Sequence, residues 1–68
     1  MSEKIRFLVY CAEIYKREKH LTGRQMYSLF SKYNVWDYVY ECYDALHTTG
    51  ALYTIENIDE FIANSSYL

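Results

Sequence analysis

The sequence predicts an all-α fold, an HTH-like helical bundle of three principal helices, completed by a short extended segment and a short C-terminal helix. Three observations predict it. Apolar residues recur at steps of three and four along most of the chain, two helix-start signatures stand where such runs begin, and proline is absent. At 68 residues the chain makes one domain, 1–68, near the lower size limit for independent folding. A chain this short buries only about 60% of its unfolded surface, so a partner or a second copy would add a useful margin.

Ser2 is placed to cap a first helix that carries Glu3 in its first turn and runs to about Lys19. Ile5, Phe7, Leu8, Val9, Cys11, Ala12, Ile14 and Tyr15 cover more than half of its circumference, and only the line Arg6, Tyr10, Glu13, Arg17 reads as wet. A helix apolar over so wide an arc is central to the fold or shared with another subunit. His20 and Leu21 connect it to a second helix. Thr22 followed three residues later by Gln25 is a capping box, and Leu21 with Met26 occupies the two positions of a hydrophobic staple. Met26, Leu29, Phe30 and Tyr33 then form an amphipathic stripe, and Asn34 is a natural left-handed stop.

The third helix, Val35 to about His47, separates into three stripes. Val35, Val39, Cys42 and Leu46 are aliphatic or thiol. Trp36, Tyr40, Tyr43 and His47 are aromatic, and Asp37, Glu41 and Asp44, with Thr48, are polar. Successive stripes are offset by about 100°, so the first two form one broad sticky arc and the acids face water. Thr48, Thr49 and Gly50 end this helix. Ala51 to Ile55 is short, β-branched and aromatic, which predicts an extended segment along the core. Asn57 with Glu60 resembles a second capping box, opening a short helix whose apolar face is Ile58, Phe61 and Ile62; residues 64–68 are expected to be a frayed tail.

Composition narrows the function. The chain is 51% hydrophobic and 19% aromatic, with nine tyrosines, more aromatic surface than so small a core easily hides. A net charge of −2 from seven basic and nine acidic residues opposes nucleic-acid binding, which needs clustered cations. Lys16, Arg17, Lys19 and Arg24 do gather at one helix junction, where they suit a solvated helix end. Cys11 and Cys42 lie in apolar arcs and read as reduced, buried thiols. The first residues have neither the apolar length nor the cleavage site of a signal peptide, so a cytoplasmic location is expected, with no membrane span.

At this point a resemblance appears. FLVYC in the first helix, LTG opening the second, ECYDALHTTG closing the third and IENIDEFI near the end resemble a family of small bacterial proteins catalogued as domain of unknown function 3791. The similarity runs from about Ile5 to Ile62, and Cys42 to Asp44, Leu46 to Thr48 and Gly50 are its specific part. It implies no activity. It does imply a neighbourhood, because similar families are often encoded beside a protein resembling an ADP-ribosyltransferase-type toxin, which suits an accessory or antitoxin-like partner.

Each candidate site has a plainer reading. Asp44 and His47, spaced i, i+3, would let a carboxylate orient an imidazole for a small enzyme, but nucleophile and oxyanion donor are missing. The alternative is a structural turn in which His47 bonds to backbone or to Thr48 or Thr49 ahead of Gly50. Cys11, His20, Cys42 and His47 are too scattered for a zinc site, and no cofactor motif is present, so no metal or cofactor is expected. A helix-turn-helix reader is compatible with the turn at Asn34, yet its recognition helix would show Asp37, Glu41 and Asp44 to phosphate. The remaining reading is a non-enzymatic interaction surface, with Trp36, Tyr40 and Tyr43 beside Asp37, Glu41 and Asp44; its plainer alternative is that Trp36 and Tyr43 are ordinary core. Its partner is expected to be a protein or a second copy, and a homodimer is anticipated.

Overall fold

The structure, a computed structural model, describes residues 2–65. The described residues are helical throughout apart from short connections, in the order α1 (Glu3–Glu18), α2 (Gly23–Lys32), α3 (Val35–Glu41), α4 (Tyr43–Leu46) and α5 (Ala51–Ser65). Local chemistry sets the first boundaries. The Ser2 hydroxyl accepts from the Ile5 amide at 3.2 Å, satisfying one of the orphan donors of α1. The end of α1 is a Schellman turn: Leu21 N–H reaches the Lys16 carbonyl at 2.9 Å and His20 N–H reaches Arg17 at 3.3 Å, with His20 itself left-handed at φ 56°. Thr22 and Gln25 form both bonds of the capping box, at 2.9 and 3.1 Å. Asn34 is left-handed at φ 57° and separates α2 from α3.

One core joins α1, α2, α3 and α5. Cys11, Ala12 and Tyr15 from α1, Met26 and Phe30 from α2, Val35 and Val39 from α3, and Ile55 and Ile58 from α5 form a single buried cluster. Burying such side chains contributes about 1.5–3 kcal/mol each, the driving term of the fold. α1 is central, packed against α2, α3 and α5. It runs antiparallel to α3, so that Phe7 meets Tyr43 at its beginning, and in the same direction as α5, which Tyr15 and Lys19 reach at Asp59.

Two expectations are corrected. Residues 51–55 are the first turns of α5, not an extended segment, and no separate short helix opens at Asn57. Ala51, Thr54, Ile55, Ile58, Phe61 and Ile62 form one helical stripe, and burying that stripe against α1 and α3 outweighs the β-propensity of Tyr53, Thr54 and Ile55. Asn57 donates its amide to the Tyr53 carbonyl within the helix instead of capping it. Gly50 lacks a positive φ and provides the carbonyl that Thr54 N–H bonds at 3.1 Å, so it opens α5 as its N-cap. Of the expected tail, Asn64 and Ser65 belong to α5; 66–68 lie outside the described residues.

The third helix is also interrupted. At Cys42, φ −96° and ψ 17° break the run into α3 and the single turn of α4. The aliphatic stripe survives the break, with Val35, Val39 and Leu46 buried, but Cys42 is only half-buried. Both cysteines are free thiols. Cys11 is fully enclosed, and burial pushes its thiol up to about 12.

Candidate functional site

The residues singled out on the third helix divide by environment. Trp36 is half-buried, edge-on to Phe30 at 5.0 Å, 6.1 Å from Tyr27, with its indole N–H donating to Ser31 Oγ at 3.4 Å. Tyr43 is half-buried between Phe7, perpendicular at 5.5 Å, and His47, parallel at 4.3 Å, and its hydroxyl donates to Glu3 at 3.3 Å. Both rings thus stitch α3 and α4 to the neighbouring helices. Partial burial and then the Glu3 and Asp44 carboxylates hold the Tyr43 phenol above its ordinary value. Tyr40, by contrast, is 41% exposed, with the Lys4 ammonium 4.9 Å over its ring. Asp37, Glu41 and Asp44 are all exposed.

The turn after α4 is built from side chains. His47 Nδ1 lies 2.7 Å from the Tyr43 carbonyl, which can only accept, so the neutral ring carries its proton there. Thr49 Oγ1 donates to the Leu46 carbonyl at 2.8 Å and meets Thr54 Oγ1 at 3.0 Å; Thr54 is fully buried. Thr48 and Gly50 are exposed in this turn. Among the described residues no hydrogen bond joins His47 to Asp44 or to Cys42, and no group of His, Cys, Asp and Glu is arranged to hold a metal ion. No helix among them is long and apolar enough to cross a membrane.

Two features escape a reading by local pattern. One is a groove of about 310 Å³ between α3–α4 and α5, lined by Tyr38, Cys42, Leu46, Thr49, Tyr53 and Asn57. Its wall is firm, because Tyr38 stacks on Phe61 at 4.2 Å. Burial and then the neighbouring Cys42, Glu60 and Tyr53 raise the Tyr38 phenol. The second feature is the distribution of charge. All seven Lys and Arg lie between Lys4 and Lys32, and six of the nine Asp and Glu lie between Asp37 and Glu60. The α1–α2 hairpin is therefore basic and the α3–α5 half acidic, and Lys19 bridges them by a 2.6 Å ion pair to Asp59. A simple count in each half of the sequence reveals this asymmetry.

Residues 6–65 match a family model described as "Protein of unknown function (DUF3791)". The chain belongs to the DUF3791 family. This match covers α2 to α5 and all of α1 beyond its first turn, so every residue of the acidic face and of the 47–50 turn lies within the DUF3791 region. Neither a curated protein nor a solved structure matches the chain.

Proposed function

We propose that this DUF3791 protein is a non-enzymatic interaction module that presents the acidic face of α3 and α4 to a basic surface on a protein partner. The observation that carries the reading is the exposure of Asp37, Glu41 and Asp44 on a half of the chain that has no Lys or Arg after Lys32. No cation lies on α3, α4 or α5, and among the described residues these carboxylates form no ion pair, although Lys4 of α1 stands over Tyr40 at the edge of the face. Their field therefore reaches outward, where it favours a cationic partner and repels phosphate. Tyr40 adds an amphipathic ring at the edge of the face, the kind of side chain enriched where proteins meet.

The first partner to test is the ADP-ribosyltransferase-type toxin that the family resemblance suggests, since a nucleotide-using cleft is positively charged. The experiment is co-purification of the full chain from its native host, alongside Asp37→Lys/Glu41→Lys and Tyr40→Ala variants. These positions are exposed, so the variants are expected to keep the parent unfolding midpoint. A stoichiometric protein retained by the parent and lost from both variants supports the reading. A partner that binds all three alike, or binding to duplex DNA at physiological salt, overturns it.

A further inference from the structure

Three large apolar side chains stand outside the core along one seam. Ile5, Val9 and Leu52 are 39%, 51% and 67% exposed, and none joins the core cluster. Helix packing places them together. Ile5 and Val9 are one turn apart on α1, on the flank beside buried Ala12. On α5, Leu52 shares with Ile55 and Asp59 the stripe that faces α1, where Asp59 meets Tyr15 and Lys19. Seven residues before Asp59 is about 10 Å back along the helix, which brings Leu52 level with residues 8–12 of the parallel neighbour, beside Val9 and about one turn from Ile5.

The borders of this seam carry opposite charges. Arg6 lies beside Ile5 and Val9 on α1, and Glu56 follows one turn after Leu52 on α5. Both are exposed, and neither forms an ion pair among the described residues. A seam with an apolar middle, a cation on one side and an anion on the other is complementary to itself after a half-turn.

We propose that the α1–α5 seam is the contact of a closed two-fold dimer of this chain. In it, Ile5 and Val9 of each copy cover Leu52 of the other, and Arg6 of each faces Glu56 of the other. Two-fold symmetry forms every such contact twice and ends assembly at two chains. A second copy fits better than a uniformly basic or acidic partner, because either would oppose one border of the seam. The seam is distinct from the acidic face of α3, so failure of one proposal leaves the other standing.

The test is the mass of the full chain by sedimentation equilibrium over a wide concentration range at low salt. Mass should rise to twice that of the chain and stop. Leu52→Asp removes the most exposed apolar group at the second position of α5, where an acidic side chain favours the helix N-terminus, so the fold should persist while the dimer is lost. Arg6→Glu and Glu56→Arg should each raise the dissociation constant by about tenfold or more, and the double exchange should restore it. A monomer at every concentration, growth beyond two chains, dimerisation unaffected by Leu52→Asp, or a double exchange that rescues nothing would overturn the proposal.

Discussion

The Tyr15 hydroxyl donates a 2.6 Å hydrogen bond to Oδ1 of Asp59, a residue 44 positions further along the chain. Its ring is almost wholly buried against Phe30, while the carboxylate lies at the rim, where Lys19 holds the other oxygen at 2.6 Å. The bond therefore fastens the last helix to the first, with one partner inside and one at the surface. A hydrogen bond to a charged group contributes about 1.5–3 kcal/mol, less where water competes. Tyr15→Phe should cost about 1–2 kcal/mol by urea unfolding, and Lys19→Met, which removes an ion pair more than a third exposed, at most about 1 kcal/mol.

Alkaline pH should weaken the fold. Burial lifts the Cys11 thiol from 9.0 to about 12. Burial, followed by the bond to Asp59, lifts the Tyr15 phenol above its ordinary 10.0. Both groups hold their protons more tightly when folded, so their contribution is complete below the unfolded values and is lost as pH rises past them. The unfolding midpoint should be level near neutrality and fall from about pH 9 upward. Cys11→Ala should lower the whole curve through its cavity yet delay the onset of the fall towards pH 10.

The left-handed conformation of His20 costs about 1 kcal/mol relative to glycine, which takes that position in most Schellman turns. His20→Gly should therefore raise stability by about 0.5–1 kcal/mol, and His20→Val should lower it by at least as much. Thermal unfolding of the two variants checks both directions.

Thr49 holds the α4–α5 turn through two contacts of one hydroxyl. Thr49→Val keeps the shape but leaves the buried Thr54 hydroxyl without its partner. A cost of about 1–3 kcal/mol is expected in chemical unfolding.

Charge attraction between the basic α1–α2 hairpin and the acidic α3–α5 half predicts an effect of salt. Screening weakens such attraction, so raising sodium chloride from low to physiological strength should lower the urea midpoint, by up to about 1 kcal/mol in stability. Asp59→Asn should flatten that dependence.

The sequence was most legible where structure is local. Ser2, the Thr22–Gln25 box and Asn34 act within a few residues of themselves, and each does in the fold what its neighbours imply. Residues 51–55 misled because Tyr53, Thr54 and Ile55, aromatic or β-branched, read as extended, while the stripe that decides them, from Ala51 to Ile62, appears only over three turns. The break at Cys42 left no mark, since the aliphatic spacing continues across it. Of the candidate face, the exposure of Asp37, Glu41 and Asp44 followed from periodicity. The inward packing of Trp36 and Tyr43 agrees with the plainer reading of the aromatic stripe as core, but their partners Phe7, Phe30 and Glu3 come from other helices and no local spacing names them. Tyr15 and Asp59 are similarly distant in the chain, and only the packing of α5 on α1 brings them together.

The segregation of charge gives the molecule a permanent dipole moment, on which any external field exerts a torque. To a distant ion it is a weak anion, whereas within about 8 Å, the screening distance at physiological salt, an approaching protein meets either a positive or a negative side. A colliding basic protein would be turned before it touched, arriving on the α3–α5 side more often than chance allows. Productive encounters would then be set by torque as well as by contact, and their frequency would fall with ionic strength even where bound lifetimes did not.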